Sequence, residues 1–230
     1  MSDYLLFIDI EASGLPKRWD VPYSTEGAWP YAIQVAWVVF DKDGRQVKEE
    51  DLYVKDNSIA ICDKARRIHR LTHEFLQLNG QSREDVLTRL QDDLQTYQPL
   101  LVGHFLELDF HVLNADYHRI GKENPMLNYP SLCTMLATKH LVRNPAKKYL
   151  RLEELYAILF NSSLANQHNA LADALATAKC YFALAERGQI NPTVDHRNDI
   201  LTTQRRSENV GCSPLAVAFL LMVLILLISL

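Results

Sequence analysis

The sequence predicts an α/β domain of three layers, and three patterns carry that expectation. Short apolar, β-branched runs crowd the first quarter of the chain, helical patterns with apolar faces dominate the later part, and one more short apolar run lies between them. Residues 4–10 read as a buried strand bounded by polar residues. Residues 32–41 and 46–54 read as two further strands, and Asp43-Gly44 between them is a hairpin turn signal. A helix is expected within residues 76–97, beginning after Ser82, which can cap it with Asp85 three positions on; Pro99 closes that stretch. Residues 100–104 form another short apolar strand, followed by a helix over about 108–120. Residues 151–160 make a short amphipathic helix and 170–186 a longer one rich in alanine and leucine.

The chemistry of the chain begins with Asp9 and Glu11. Strand side chains alternate between faces, so Leu5, Phe7, Asp9 and Glu11 point the same way and two carboxylates end an apolar face. Either the strand runs out into solvated acids, or the pair holds a divalent cation, since buried like charges need neutralising. Further carboxylates would separate the two readings. Asp109 heads a stripe with Leu113, Tyr117 and Ile120 that should face the core, although a carboxylate there can also serve the helix N-terminus. Asp173 is a lone acid early in an otherwise small, apolar helix, and His168 lies five residues before it, where a loop can present it. Four carboxylates and one imidazole suit two Mg²⁺ ions, or Mn²⁺ in their place, about 4 Å apart across an in-line phosphoryl displacement, with the imidazole accepting the water's proton. Zinc is disfavoured because CxxC and HExxH are absent, and no P-loop or GxGxxG fingerprint is present.

Three ordered motifs then carry a resemblance. Phe7-Ile8-Asp9-Ile10-Glu11-Ala12-Ser13-Gly14-Leu15 resembles the first motif of the DEDDh 3′–5′ exonucleases, which include the proofreading epsilon subunit and ribonuclease T. Leu101-Val102-Gly103-His104, running on to Leu108-Asp109-Phe110, resembles the second, and His168 with Asp173 the third. The resemblance spans about residues 4–187. It implies a ribonuclease H-like fold with a mixed five-stranded sheet. It also implies that Asp9, Glu11, Asp109 and Asp173 hold two metals, with Asp9 bridging and His168 as general base. The backbone around Ala12, Ser13, Gly14 and Leu15 would pack on the terminal nucleotide, with His104 beside the substrate. The implied activity is release of nucleoside 5′-monophosphates from single-stranded DNA or RNA 3′ ends; the alternative is an inactive nucleic-acid-binding module that keeps the fold.

The chain also departs from the family pattern. His104 is followed by Phe105 where asparagine is common, Arg70 stands where "IHGIT" has glycine, and Cys133 replaces an aspartate. Residues 17–30 form an insertion with Trp19, Tyr23 and Trp29, which either stack bases or pack on the domain. Net charge is −4, which argues against a broad basic grip on long duplexes and fits engagement of a few nucleotides. Basic clusters at Arg66, Arg67 and Arg70 and around Lys139, Lys147 and Lys148 read first as solvated surface. Cys62, Cys133, Cys180 and Cys212 lack ligand or disulfide spacing and read as reduced thiols.

Leu215 to Leu230 is 16 residues with no charge, and counted from Gly211 the run reaches about 30 Å as a helix, the thickness of a hydrocarbon core. The expected division is an exonuclease domain over 1–187, a polar linker over 188–213 and a C-terminal transmembrane helix over 214–230. Arg205 and Arg206 then place the domain on the cytoplasmic side of the membrane.

Overall fold

A computed structural model describes residues 2–191, 193 and 195–200. Its sheet is mixed and five-stranded, as expected. The strands β1 (Tyr4–Ala12), β2 (Ala32–Asp41), β3 (Gln46–Tyr53), β4 (Leu100–Gly103) and β5 (Ser131–Cys133) lie in the order β3-β2-β1-β4-β5. β1 is antiparallel to β2 and parallel to β4, and β4 is parallel to β5. The helices are α1 (Asp63–His69), α2 (His73–Asn79), α3 (Arg83–Tyr97), α4 (Leu106–Arg119), α5 (Thr134–Ala137), α6 (Leu152–Phe160) and α7 (Ala170–Glu186).

The alternation along β1 builds the three layers. Leu6, Ile8 and Ile10 enter the core shared with α3 and α4, against Leu87, Leu90, Leu113 and Tyr117. Phe7 enters the opposite core, against Ala174, Ala178 and Tyr181 of α7. α6 packs behind α7 through Leu155, Leu159, Cys180 and Leu184. Helix starts follow the expected chemistry. Ser82 accepts the Asp85 N–H at the head of α3, and Asn169 accepts the Ala172 N–H at the head of α7.

The insertion at 17–30 packs on the domain. Trp29 is 2 % exposed, its indole stacks on His111 of α4, and Tyr23 Oη lies 2.6 Å from His111 Nδ1. One buried carboxylate locks this layer. Asp116 accepts from Arg83 and Arg119, each at 2.5 Å, and from the Ala32 amide at 3.0 Å. Arg119 also donates to the carbonyls of Trp29 and Pro30.

Beyond residue 187, the expected end of the domain, residues 195–200 dock against β5. Asp195 accepts the Ser131 N–H, His196 donates its N–H to Ser131 O, and His196 Nδ1 accepts the Cys133 N–H. Ile200 is 2 % exposed inside the main core. β5 is an edge strand whose backbone groups need partners, and residues 195–200 supply them. The stretch reads as a linker in sequence because the groups that dock it are backbone, carboxylate and imidazole. Among the described residues no helix is long and apolar enough to cross a membrane, and the run at 214–230 lies outside them.

Removing one partner of a buried ion network leaves the other charges uncompensated. Asp116→Ala is therefore expected to lower the unfolding free energy by about 3–5 kcal/mol in urea denaturation. A change under about 1 kcal/mol would show that Asp116 does not hold these segments together.

Candidate active site

The site forms where the C-terminal end of β1 meets the first turns of two helices from opposite layers. Asp9 and Glu11 follow Phe7 on the face that meets α7, so the strand's parity aims them at Asp173 in that helix's first turn. Asp109 arrives from the other layer. The turn from β4 into α4 is tight: a Cβ on Gly103 would stand 2.8 Å from Leu106 Cδ1. This turn brings Asp109 back to the Ile10 amide, which supports its carboxylate. α7 is itself pinned at its start, because Gln34, opposite Glu11 in the β1–β2 register, accepts the Ala170 N–H through Oε1 at 3.2 Å. Gln34 then donates to Asp51 Oδ1 at 2.7 Å. This positioning role went unread in the sequence; the available signal was a single polar side chain in the otherwise apolar run Ala-Ile-Gln-Val-Ala-Trp.

One cavity of about 750 Å³ is lined by Asp9, Glu11, Asp109, His168 and Asp173 together, with Ala12, Gly14, Leu15 and His104 among its walls. His168 sits on an exposed loop with φ +64°, and its N–H donates to Asp173 Oδ2 at 3.0 Å. Ligand atoms of Glu11, His168 and Asp173 lie within 4.8 Å of one another. Leu15 is 66 % exposed at this cavity, an apolar surface offered to whatever enters.

Two expected substrate contacts are placed differently. Ser13 is absent from the cavity wall: the register shifts between Glu11 and Ala12, and the Ser13 hydroxyl turns inward to accept the Tyr31 N–H at 3.0 Å. His104 lines the cavity but both ring nitrogens are taken, Nδ1 by the Thr134 hydroxyl at 3.0 Å and Nε2 by Leu150 O at 3.1 Å. Burial drops its pKa to about 4, so it is a neutral wall rather than a charged contact. His69 is a further wall residue to which the sequence gave no role. Its Nδ1 accepts the Leu71 N–H, its Nε2 is buried without a partner, and burial, then the nearby His168, lowers its pKa to about 4.

Electrostatically the site is overloaded with negative charge. Burial first, then the charges of Asp109, Asp173 and Glu11, hold Asp9 well above the usual carboxylate range. Glu11 is pushed up to about 8 by burial and Asp173, and Asp173 itself up to about 6, chiefly by burial. Asp109 is raised by burial and by its acidic neighbours despite the Ile10 amide. Asp109 Oδ2 and Asp173 Oδ1 are buried and have no hydrogen-bond partner. Orphaned, crowded carboxylate oxygens of this kind fit a hard divalent cation.

A family model described as "RNase_T: Exonuclease" matches residues 6–181. The chain belongs to the DEDDh-type 3′–5′ exonuclease family. No curated protein matches it. Among solved structures, E. coli exonuclease I in complex with a dT13 oligonucleotide superposes with a TM-score of 0.66 at 17 % identity, over 80 % of this chain and 41 % of that one. Exonuclease I from Methylocaldum szegediense gives 0.64 at 19 %, over 80 % of this chain and 40 % of that one. A 3′-exonuclease described in 3′-end-specific recognition of histone mRNA stem-loop gives 0.65 at 13 %, over 83 % of this chain and 66 % of that one. At these identities the likeness is one of fold. This exonuclease-family chain spans less than half the length of the exonuclease I chains it matches.

The family also gives the departures a physical reading. Phe105 is the residue before α4 and holds φ +64°, a conformation that asparagine tolerates and a bulky side chain does not favour. Its ring meets Trp19 of the insertion at 6.1 Å, so the insertion provides a packing partner for the residue that replaces asparagine. Arg70 likewise occupies the left-handed cap of α1 at φ +62°, the place where glycine costs least.

In the four acids the folded-state pKa lies above the unfolded value. Without metal the folded chain therefore binds more protons, and this contribution is fully present below about pH 4 and is lost as pH rises toward about 8. Below about pH 6.5 the buried His69, His104 and His111 oppose this trend, so in EDTA the melting temperature should fall from about pH 6.5 toward pH 8, where Mg²⁺ or Mn²⁺ should restore it. Asp9→Asn should raise the metal-free melting temperature at alkaline pH and remove most of the metal-induced rise. Melting temperatures indifferent to divalent cations in both proteins would contradict the cation reading of the cluster.

Proposed function

We propose that the chain is a metal-dependent 3′–5′ exonuclease that hydrolyses terminal phosphodiester bonds of single-stranded DNA or RNA and releases nucleoside 5′-monophosphates. The observation that carries this reading is the convergence of Asp9, Glu11, Asp109, Asp173 and His168 on one cavity, with two buried carboxylate oxygens left without partners. Support also comes from the family membership and from solved structures of similar fold that contain single-stranded DNA, one of them with a zinc ion.

Asp9, Glu11, Asp109 and Asp173 would hold divalent cations, Mg²⁺ or Mn²⁺, which when bound supply positive charge to the attacking and leaving oxygens of an in-line displacement. The chain's own residues do the rest. His168, exposed on its loop, accepts the proton of the attacking water. Asp173 orients that loop through the His168 N–H. Leu15, Ala12 and Ile68 give the terminal nucleoside an apolar seat, and His104, fixed by Thr134 and Leu150, keeps the wall beside it rigid.

The apolar run 215–230 supports a second element of the proposal: a single-pass membrane tether, with the catalytic domain on the cytoplasmic side.

The full-length protein should shorten 3′-labelled single-stranded DNA or RNA in Mg²⁺ or Mn²⁺ and not in EDTA. His168→Ala should lower kcat by about 10²–10⁴ with the fold retained. Absence of metal-dependent shortening of either polymer would leave an inactive binding module as the better reading. Deletion of residues 211–230 should move the protein from membrane pellet to supernatant without loss of hydrolysis; continued pelleting would refute the tether.

A further inference from the structure

Beside the active-site cavity lies a second one of about 400 Å³, within the size range of small-molecule sites. Met135 and Tyr149 line both cavities and form the partition between them. Lys139 and Lys148 line it, together with Glu107, His196 and Asp199. We propose that this cavity is a subsite for the single strand just upstream of the terminal nucleotide, with its phosphodiester held by Lys139 and Lys148. The inference rests on the exonuclease reading above and adds where the rest of the substrate lies.

The lysines carry the argument. Each ammonium lies 5.2 Å from the centroid of the Tyr149 ring, so the aromatic face holds both cations at the partition. Among the described residues neither forms an ion pair with a carboxylate, whereas the adjacent Lys147 is paired with Glu154. Two exposed lysines that meet at one ring, neither ion-paired among the described residues, can reach a phosphate. Glu107 and Asp199, on the same walls, are engaged within the protein. The strap at 195–200 completes the cavity, since His196 is held by the Cys133 amide and Ile200 O meets His111 Nε2 at 3.1 Å. A strand whose last nucleotide sits against Leu15 and Asp9 thus has an adjoining, cation-lined volume across a single tyrosine.

Two measurements on full-length protein test this. The first is binding of a 5′-fluorescein-labelled thymidine octamer, read by anisotropy across a salt series, with Ca²⁺ in place of the catalytic cation. The second is Mn²⁺-dependent hydrolysis of thymidine 5′-monophosphate p-nitrophenyl ester, which has no upstream nucleotide. In Lys139→Gln/Lys148→Gln the octamer Kd is expected to rise about tenfold, and the slope of log affinity against log salt to flatten by about 1. The ratio of octamer to ester KM should rise by a similar factor. An unchanged octamer Kd and salt slope overturns the subsite even when the ester is cleaved. An equal loss on ester and octamer also overturns it, because the lysines would then act on the terminal nucleotide. Failure of the unaltered protein to cleave the ester counts against the exonuclease reading instead, and the two failures are told apart.

Discussion

Four carboxylates forced together at the end of one strand are the constraint around which this molecule is organised. Asp9 and Glu11 are delivered by strand parity, Asp109 by a tight strand-to-helix turn, and Asp173 by the first turn of the last helix. Each delivery is made by rigid, well-buried apolar packing on one side of the sheet or the other. The acids cannot separate to relieve their repulsion, so they take up protons or a cation. Burial and repulsion from acidic neighbours raise the pKa values of all four acids in the cluster. The polar supports around it, Gln34 under α7 and the Ile10 amide under Asp109, keep the oxygens aimed.

The departures from the family pattern make sense as paired adjustments. Phe105 sits in a backbone conformation better suited to asparagine, and the inserted loop sets Trp19 against it. That loop is in turn fixed from behind by Trp29 on His111 and by Arg119 on the loop carbonyls. His111 then links the loop to the C-terminal strap through Ile200. One helix, α4, therefore carries the cavity carboxylate Asp109 on its first turns, the loop's anchor on its middle and the Asp116 lock near its end. The strap closes the exposed edge of β5 while providing one wall of the second cavity, so the same segment serves stability and shape.

Much of the fold was legible because its periodicities are strong. The three early strands, the helix capped by Ser82 and the helix at 170–186 follow from alternation, apolar stripes and caps, which are local properties. Asp9, Glu11, Asp109, Asp173 and His168 each stand out in sequence at the edge of an apolar element, and in the structure they line one cavity. Other contacts join segments distant in sequence. Ser13 turns inward because of a bulge that one residue either way would undo, and His104 is spent on Thr134 and Leu150, which are 30 and 46 residues distant in sequence. Residues 195–200 looked like linker because their docking uses an edge strand elsewhere in the chain. The aromatic insertion could have stacked bases or the domain; its burial against α4 decided that.

The sequence by itself determined the element types, the strand face that carries Asp9 and Glu11, and the chemical class of the acidic cluster. These depend on side-chain period and on the ionisation of carboxylates, both of which can be read along the chain. Only the tertiary structure decided which oxygens are left without partners, which candidate residues are already occupied, and that two cation-bearing side chains meet at one tyrosine beside the site. Those outcomes depend on distances between segments far apart in sequence, and hydrogen-bond satisfaction and charge balance exist only once such segments are packed together.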